Sequence, residues 1–166
     1  KDFDRLIARE PNSGNTPLAF MGRSSVKVGL KQFDGALQDM NKAISLNPKT
    51  IPRLYFQRAM IWRKKMDKAK ALADFSKSIE LKADYFDAYL KRGFILISLK
   101  RFDDAATDFE AAHKLKPRRV TTIVTLAMLV KYKGDTARAD ALLRTAREIN
   151  PSLTKKILEV MKIGDE

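Results

Sequence analysis

Three interleaved series of small residues run through this chain with one shared spacing. Ser24, Ala59, Gly93 and Ala127 form the first; Ala36, Ala71, Ala105 and Ala139 the second; Ala43, Ser78, Ala112 and Ala146 the third. Each series steps by 35, 34 and 34 residues, so one extra residue lies between the first two units. Series locked in phase at so long a period require stacked supersecondary units, each burying its apolar face on its neighbours. A single closed core does not produce them.

Within a unit the pattern is helix, short turn, helix. The third unit shows it best: a first helix over Phe86–Leu99, a turn over Lys100–Asp103, and a second helix over Asp104–Leu115 closed by Pro117. Ala105, Phe109 and Ala112 stand four and three residues apart, which places them on one helical face. Gly93 and Ala105 let helix backbones approach, while Tyr89, Phe102, Phe109 and Leu115 fill the space between. Pro117 cannot continue a helix, because it lacks an amide hydrogen and its ring clashes with the preceding turn. Pro48 and Pro151 stand at matching places in units one and four, where unit two has Ala83.

The small–large–small order resembles the tetratricopeptide repeat family. Tyr89, Arg92, Gly93, Phe102, Ala105, Phe109, Ala112 and Pro117 carry the resemblance in unit three, and Tyr55, Ala59, Trp62, Ala71, Phe75 and Ser78 in unit two. Units one and four are looser but keep the small sites, with Phe33 and Met40 in the first and Leu143 in the last. A pentatricopeptide RNA-reading array has a similar period, but its second helix should end in a Met-rich, Gly-containing stretch that is absent here. The fold implied is an all-α, right-handed α-solenoid of stacked antiparallel helix pairs. Its expected units are 17–50, 52–85, 86–119 and 120–153. Phe3, Leu6 and Pro11 match the second-helix end of a preceding repeat, so 1–16 is expected to hold that end and a linker. Over 154–166 a capping helix is expected, with Leu153, Ile157, Leu158 and Met161 on one apolar stripe.

No catalytic constellation emerges, and the chain is expected not to be an enzyme. His113 is the only histidine and cysteine is absent, so neither a multi-histidine site, a cysteine metal site nor a Ser-His-Asp triad is suggested. Seven isolated glycines form no phosphate-cradling loop. No metal and no cofactor are expected. Asp103, Asp104 and Asp108 read as acids favouring a helix N-terminus. Trp62 and Tyr89 fall on packing positions of the repeat. The longest uncharged run, Val120–Val130, is too short to span a bilayer. Lack of cysteine fits a reducing compartment, so a cytoplasmic setting is expected, with cytoskeletal, ciliary or nuclear settings as alternatives.

Charge is the other informative quantity. The chain carries a net +13, with the densest cluster at Arg63, Lys64, Lys65, Lys68 and Lys70 across the turn of unit two. Such a surface attracts acidic peptides, polyanionic tails, nucleic acid or anionic lipid, or simply solvates a repeat array.

The resemblance also implies where a ligand would lie. In tetratricopeptide arrays the first helices line a concave groove that holds extended peptides or short helices. By position the lining residues here are Leu18, Met21, Ser25 and Val28; then Phe56, Met60, Arg63 and Lys64; then Leu90, Phe94 and Ile97; then Val124, Met128, Lys131 and Tyr132. This is an apolar floor with a basic edge, suited to a peptide with apolar anchors and acidic neighbours. Co-chaperone members hold chaperone C-terminal carboxylates with Lys, Asn and Arg. The corresponding residues here are Met21, Ser25, Gln57, Asp87 and Lys91, or in the next frame Phe56, Met60, Lys91, Thr121 and Thr125. A chaperone tail is therefore not expected as a partner. The expected function is a non-catalytic protein-interaction scaffold binding an apolar or amphipathic, acidic peptide. The alternatives are a basic array for RNA or an acidic cytoskeletal tail, and a structural segment whose groove is filled by self-packing.

Overall fold

The computed structural model describes residues 2–9, 13–46 and 51–162, and these form helices and turns with no strand. Pro48 and Pro11, to which the sequence assigns helix ends, lie outside the described residues. The chain divides into two compact units, Lys1–Ala88 and Tyr89–Glu166.

The first unit holds α1 (Asp2–Arg9), α2 (Thr16–Gly29), α3 (Phe33–Leu46), α4 (Pro52–Lys64) and α5 (Lys68–Leu81). Helix α2 pairs with α3 and α4 with α5, while α1 lies on α2 and α3 on α4. Phe20, Leu37, Met40, Ile44, Leu54, Tyr55 and Ile61 form one continuous core around the small sites Ala36 and Ala43. Helix α6 (Phe86–Ser98) begins in this unit and runs into the second. There it is followed by α7 (Phe102–Leu115), α8 (Val120–Tyr132), α9 (Thr136–Ile149) and α10 (Pro151–Lys162).

The sequence places the second helix of unit three from Asp104, but α7 begins at Phe102. The reason is the turn. Lys100 takes a left-handed φ of 59°, which reverses the chain within three residues and returns it to helix at once. Lys31 (φ 59°), Met66 (φ 62°) and Gly134 (φ 92°) hold the same conformation at the same place in the other pairs. Only the fourth is the residue type that adopts it without a Cβ clash.

Caps differ between otherwise equivalent helices. Asp67 accepts a hydrogen bond from the Lys70 amide at 3.0 Å and Asp135 one from the Arg138 amide at 3.0 Å, so α5 and α9 start on side-chain caps. Helix α7 starts after Arg101 without one. Asn150 serves two helices. Its backbone N–H donates to the Ala146 carbonyl to close α9, and its side-chain oxygen accepts from the Leu153 amide at 2.8 Å to open α10. The stretch 151–153, read as the tail of unit four, is thus the first turn of α10. That helix packs on α8 and α9 with Ile157, Leu158 and Met161 against Val120, Ile123, Val124 and Ala146.

The small sites do what their size allows. Gly93 is buried, and a Cβ there would lie 2.8 Å from Cε2 of Phe109, itself fully buried. Ser24 fills a comparable site and donates from Oγ to the Ala36 carbonyl at 2.9 Å, tying α2 to α3.

Candidate functional site

Each helix pair of the first three repeats is also joined by a buried ion pair. Arg23 donates from Nε and Nη2 to the two Asp39 oxygens at 2.9 and 2.6 Å. Arg58 does the same to Asp74 at 2.8 and 2.7 Å, and Arg92 to Asp108 at 2.9 and 2.6 Å. The carboxylates are almost wholly buried and each arginine keeps roughly a quarter of its side chain exposed. The forked guanidinium matches the carboxylate geometry in all three. Arg23 also reaches Asp4 on α1 at 2.8 Å, and Arg58 reaches Asn41 on α3 at 2.7 Å. The hydrogen bonds that Arg23 donates to Asp39 are the main reason the Arg23 pKa is raised.

These pairs correct the reading of Asp108. It is not an acid serving a helix N-terminus; it lies two turns into α7, 2% exposed and held by Arg92. Asp103 and Asp104 do stand in the first turn of α7, where Asp103 also pairs with Lys133 at 2.8 Å and Asp104 with Arg101 at 2.7 Å. The offset was present in the sequence as Arg and Asp sixteen residues apart, three times over.

With those charges spent internally, what remains for a ligand lies on the first-helix surfaces. In the first unit, α2 and α4 enclose a hollow of about 210 Å³. Val28, Met40, Met60 and Ile61 form its apolar walls, and Ser24, Ser25, Gln57 and Lys64 its polar margin. Ser25, Val28, Met60 and Lys64 are thereby brought together. Met40 reaches the hollow from α3, and Ile61 and Gln57 belong to it by facing α2 from α4; the positional reading of the groove included none of the three. Met21 and Phe56 stand on the same helices but outside its lining. Phe56 is half-buried under a stack with Tyr85 (centroids 5.0 Å) and an edge contact with Phe75 (5.5 Å). Leu18 is 45% exposed.

In the second unit Leu90 and Ile97 are half-buried on α6. Phe94 is 44% exposed with its ring edge-on to Phe109 at 5.1 Å, so it supports the core while facing solvent. Met128 is half-buried and Lys131 exposed on α8. Tyr132 is exposed, with its ring against Phe102 at 4.6 Å. Val124 is different. It is fully buried, because α10 covers that turn of α8, so it belongs to the core of the last repeat and not to a groove.

The basic cluster of unit two is divided by its own neighbours. Lys65 pairs with Asp34 of the preceding repeat. Lys70 pairs with Asp67 at 2.9 Å and lies 4.5 Å from the Trp62 ring centre. Arg63 and Lys64 are exposed and have no acidic partner among the described residues.

Among the described residues, ten helices with exposed first-helix faces and small residues at the crossings define a helical-repeat interaction scaffold of the all-α solenoid class. The tetratricopeptide repeat family model matches residues 19–50 and 86–119, and the chain is a tetratricopeptide-repeat protein. It is 32% identical over 84 residues to the TPR repeat-containing thioredoxin TDX of Arabidopsis thaliana, a match covering 51% of this chain and 22% of that protein. The chain thus spans about a fifth of that relative. Among solved structures it is similar to MamA, with a TM-score of 0.77 at 18% identity, covering 92% of this chain and 87% of that one. It is also similar to the first TPR of Spaghetti (RPAP3) bound to the HSP90 peptide SRMEEVD. There the TM-score is 0.67 at 20% identity, covering 74% of this chain and 96% of that one. Among the described residues, no helix is long and apolar enough to cross a membrane.

Proposed function

We propose that this chain is a non-catalytic scaffold that docks an apolar or amphipathic, acidic peptide on its first-helix surfaces. The observation that carries this reading is the hollow between α2 and α4, with four apolar walls and an unpaired lysine on its margin. Methionine walls adapt to different side chains, and a cationic margin selects against basic ones. A similar fold holding an HSP90 peptide supports peptide docking as the mode. Chaperone tails remain the wrong chemistry for this chain. Asp87 stands where the clamp has a cation, and Met21, Ser25 and Gln57 offer no positive charge. A cytoplasmic setting accompanies the proposal.

The test is selection of peptides from a displayed library on the purified chain, followed by anisotropy titration of the winners. Binding should survive moderate salt and be lost in Met60→Asp, with a melting curve taken to verify that the variant folds. One observation favours a second reading: Arg63 and Lys64 lack acidic partners, which also suits RNA or an acidic cytoskeletal tail. That reading predicts affinity falling steeply with salt and indifferent to Met60→Asp. Self-packing is favoured locally by α10, which already closes the face of α8 around Val124.

A further inference from the structure

We infer that the hollow between α2 and α4 takes one apolar side chain of an extended, internal peptide segment whose acidic residue, two positions away, is held by Lys64. The inference rests on the peptide-docking reading and names its ligand.

Size comes first. Ligand sites for whole small molecules run from about 300 Å³ upward, while a cavity of about 150 Å³ accepts a benzene ring. At about 210 Å³ the hollow accommodates one Leu-, Met- or Phe-sized side chain and no more. The polar margin then decides what flanks that anchor. Ser24 donates its hydroxyl proton to the Ala36 carbonyl and Ser25 donates its own to the Met21 carbonyl at 3.0 Å, so neither has a proton left to donate to a ligand carboxylate. Gln57 and Lys64 have no hydrogen-bond partner among the described residues. An amide that both donates and accepts suits an extended backbone, which presents both N–H and C=O; a helix has already paired its own.

Charge specifies the rest. The acids on the surrounding helices are committed: Asp34 to Lys65, Asp39 to Arg23 and Lys27, Asp67 to Lys70, and Asp74 to Arg58. Among the described residues no acid lines the hollow, so a ligand carboxylate can supply the counter-charge of Lys64. Lys64 lies one turn beyond Met60 on α4, which separates their Cβ atoms by about 5–6 Å. Side chains two apart on an extended strand share a face at about 6–7 Å. The anchor beside Met60 therefore brings a carboxylate at the second position to Lys64. With one cation and one amide, the site serves one side-chain carboxylate and does not need a chain terminus.

The probe is a short labelled peptide, acetylated and amidated, with a single Leu in a Gly/Ser background and Glu two residues to each side. Companion peptides replace Leu by Ser, replace both Glu by Gln, or move Glu four residues away. Each is titrated by anisotropy against the wild type, Ser25→Trp, Lys64→Glu, Lys64→Arg and, as a control cation outside the hollow, Lys42→Glu. Ser25 is exposed, so its Trp plugs the hollow without entering the core; melting curves verify each fold. Binding should vanish for the Ser peptide and for Ser25→Trp. Lys64→Glu should lose roughly tenfold or more and become indifferent to Glu→Gln, while Lys64→Arg retains the preference. Equal losses in Lys64→Glu and Lys42→Glu would overturn the assignment of Lys64, and tighter binding of the four-residue spacing would overturn the extended geometry. If selected peptides bind wild type but ignore Ser25→Trp, docking stands and this placement falls. If no peptide binds wild type at all, both fall.

Discussion

Leu126 and Leu142 stand in the last helix pair where Arg92 and Asp108 stand in the pair before it, one period earlier. Both leucines are withdrawn from solvent, the first 1% exposed and the second packed against the core of the last repeat. The equivalent positions thus carry two leucines in the last repeat and a forked ion pair in each of the first three.

The consequence for stability is asymmetric. Removing one partner of a buried pair strands the other charge, so Arg92→Leu or Asp108→Leu alone should destabilise by about 3 kcal/mol. The double replacement, which copies the last repeat, should lie within about 1 kcal/mol of wild type or above it. Urea unfolding of the two singles and the double closes this cycle. Additive losses in the double would show that the arginine and aspartate act separately.

Acid sensitivity follows from the first of these pairs. Burial opposes ionisation of Asp39, yet hydrogen bonds from Arg23 and Lys27 more than offset it and hold its pKa below the ordinary aspartate value. A depressed folded pKa means the unfolded chain takes up protons first. The contribution is complete above about pH 4, the unfolded value, and is lost as pH falls through the lower folded one. Asp39→Asn should lower stability at neutral pH and flatten the fall below pH 4, as read from melting temperatures across that range.

The left-handed turn positions make a sharper test of backbone cost. Met66 is 76% exposed, so its side chain contributes little to packing, yet its Cβ sits in a conformation suited to glycine. Met66→Gly should stabilise by about 0.5–1 kcal/mol, and Gly134→Met should destabilise by about 1 kcal/mol or more. Chemical denaturation of the two variants measures both. Loss of stability in Met66→Gly would mean that unfolded-state entropy outweighs the strain.

Two glycines that look alike in sequence should respond differently to alanine. A Cβ at Gly93 meets the fully buried ring of Phe109 at 2.8 Å, whereas at Gly22 it meets the ring of Phe3. Phe3 is 38% exposed and can swing aside. Gly93→Ala should therefore cost about 1–3 kcal/mol and Gly22→Ala much less, a difference visible in their melting curves.

Much of the fold was legible because the small sites recur in phase, and a small residue at a helix crossing is a demand that no other arrangement of this chain makes. Gly93 shows why: its partner Phe109 leaves no room for a Cβ. The turn at Lys100 was less legible, since a lysine does not announce a left-handed φ. The site was legible only in part. Position in the repeat pointed to Ser25, Val28, Met60 and Lys64. The same rule pointed to Val124, which α10 buries, and overlooked Met40, which reaches the hollow from α3, and Ile61, which faces it from another side of α4. Periodicity reports which face a residue occupies; it does not report what the next element lays over that face. The arginine–aspartate pairs were hidden for another reason. Asp108 taken singly reads as an acid near a helix start and Arg92 as one residue of the repeat signature, and only the sixteen-residue offset, compared across repeats, identifies a pair.

Charge also joins neighbouring repeats, through Asp34 to Lys65 in the first unit and Asp103 to Lys133 in the second. At the intervening position the same two sites are Ala69 and Leu99. The apolar pattern of the chain therefore returns after one helix pair, but this electrostatic pattern returns only after two. Exchanging single repeats between positions would keep every small-residue contact and break these straps, whereas moving repeats two at a time would carry the straps along. For recombination, by duplication or in the laboratory, the natural cassette is the double repeat.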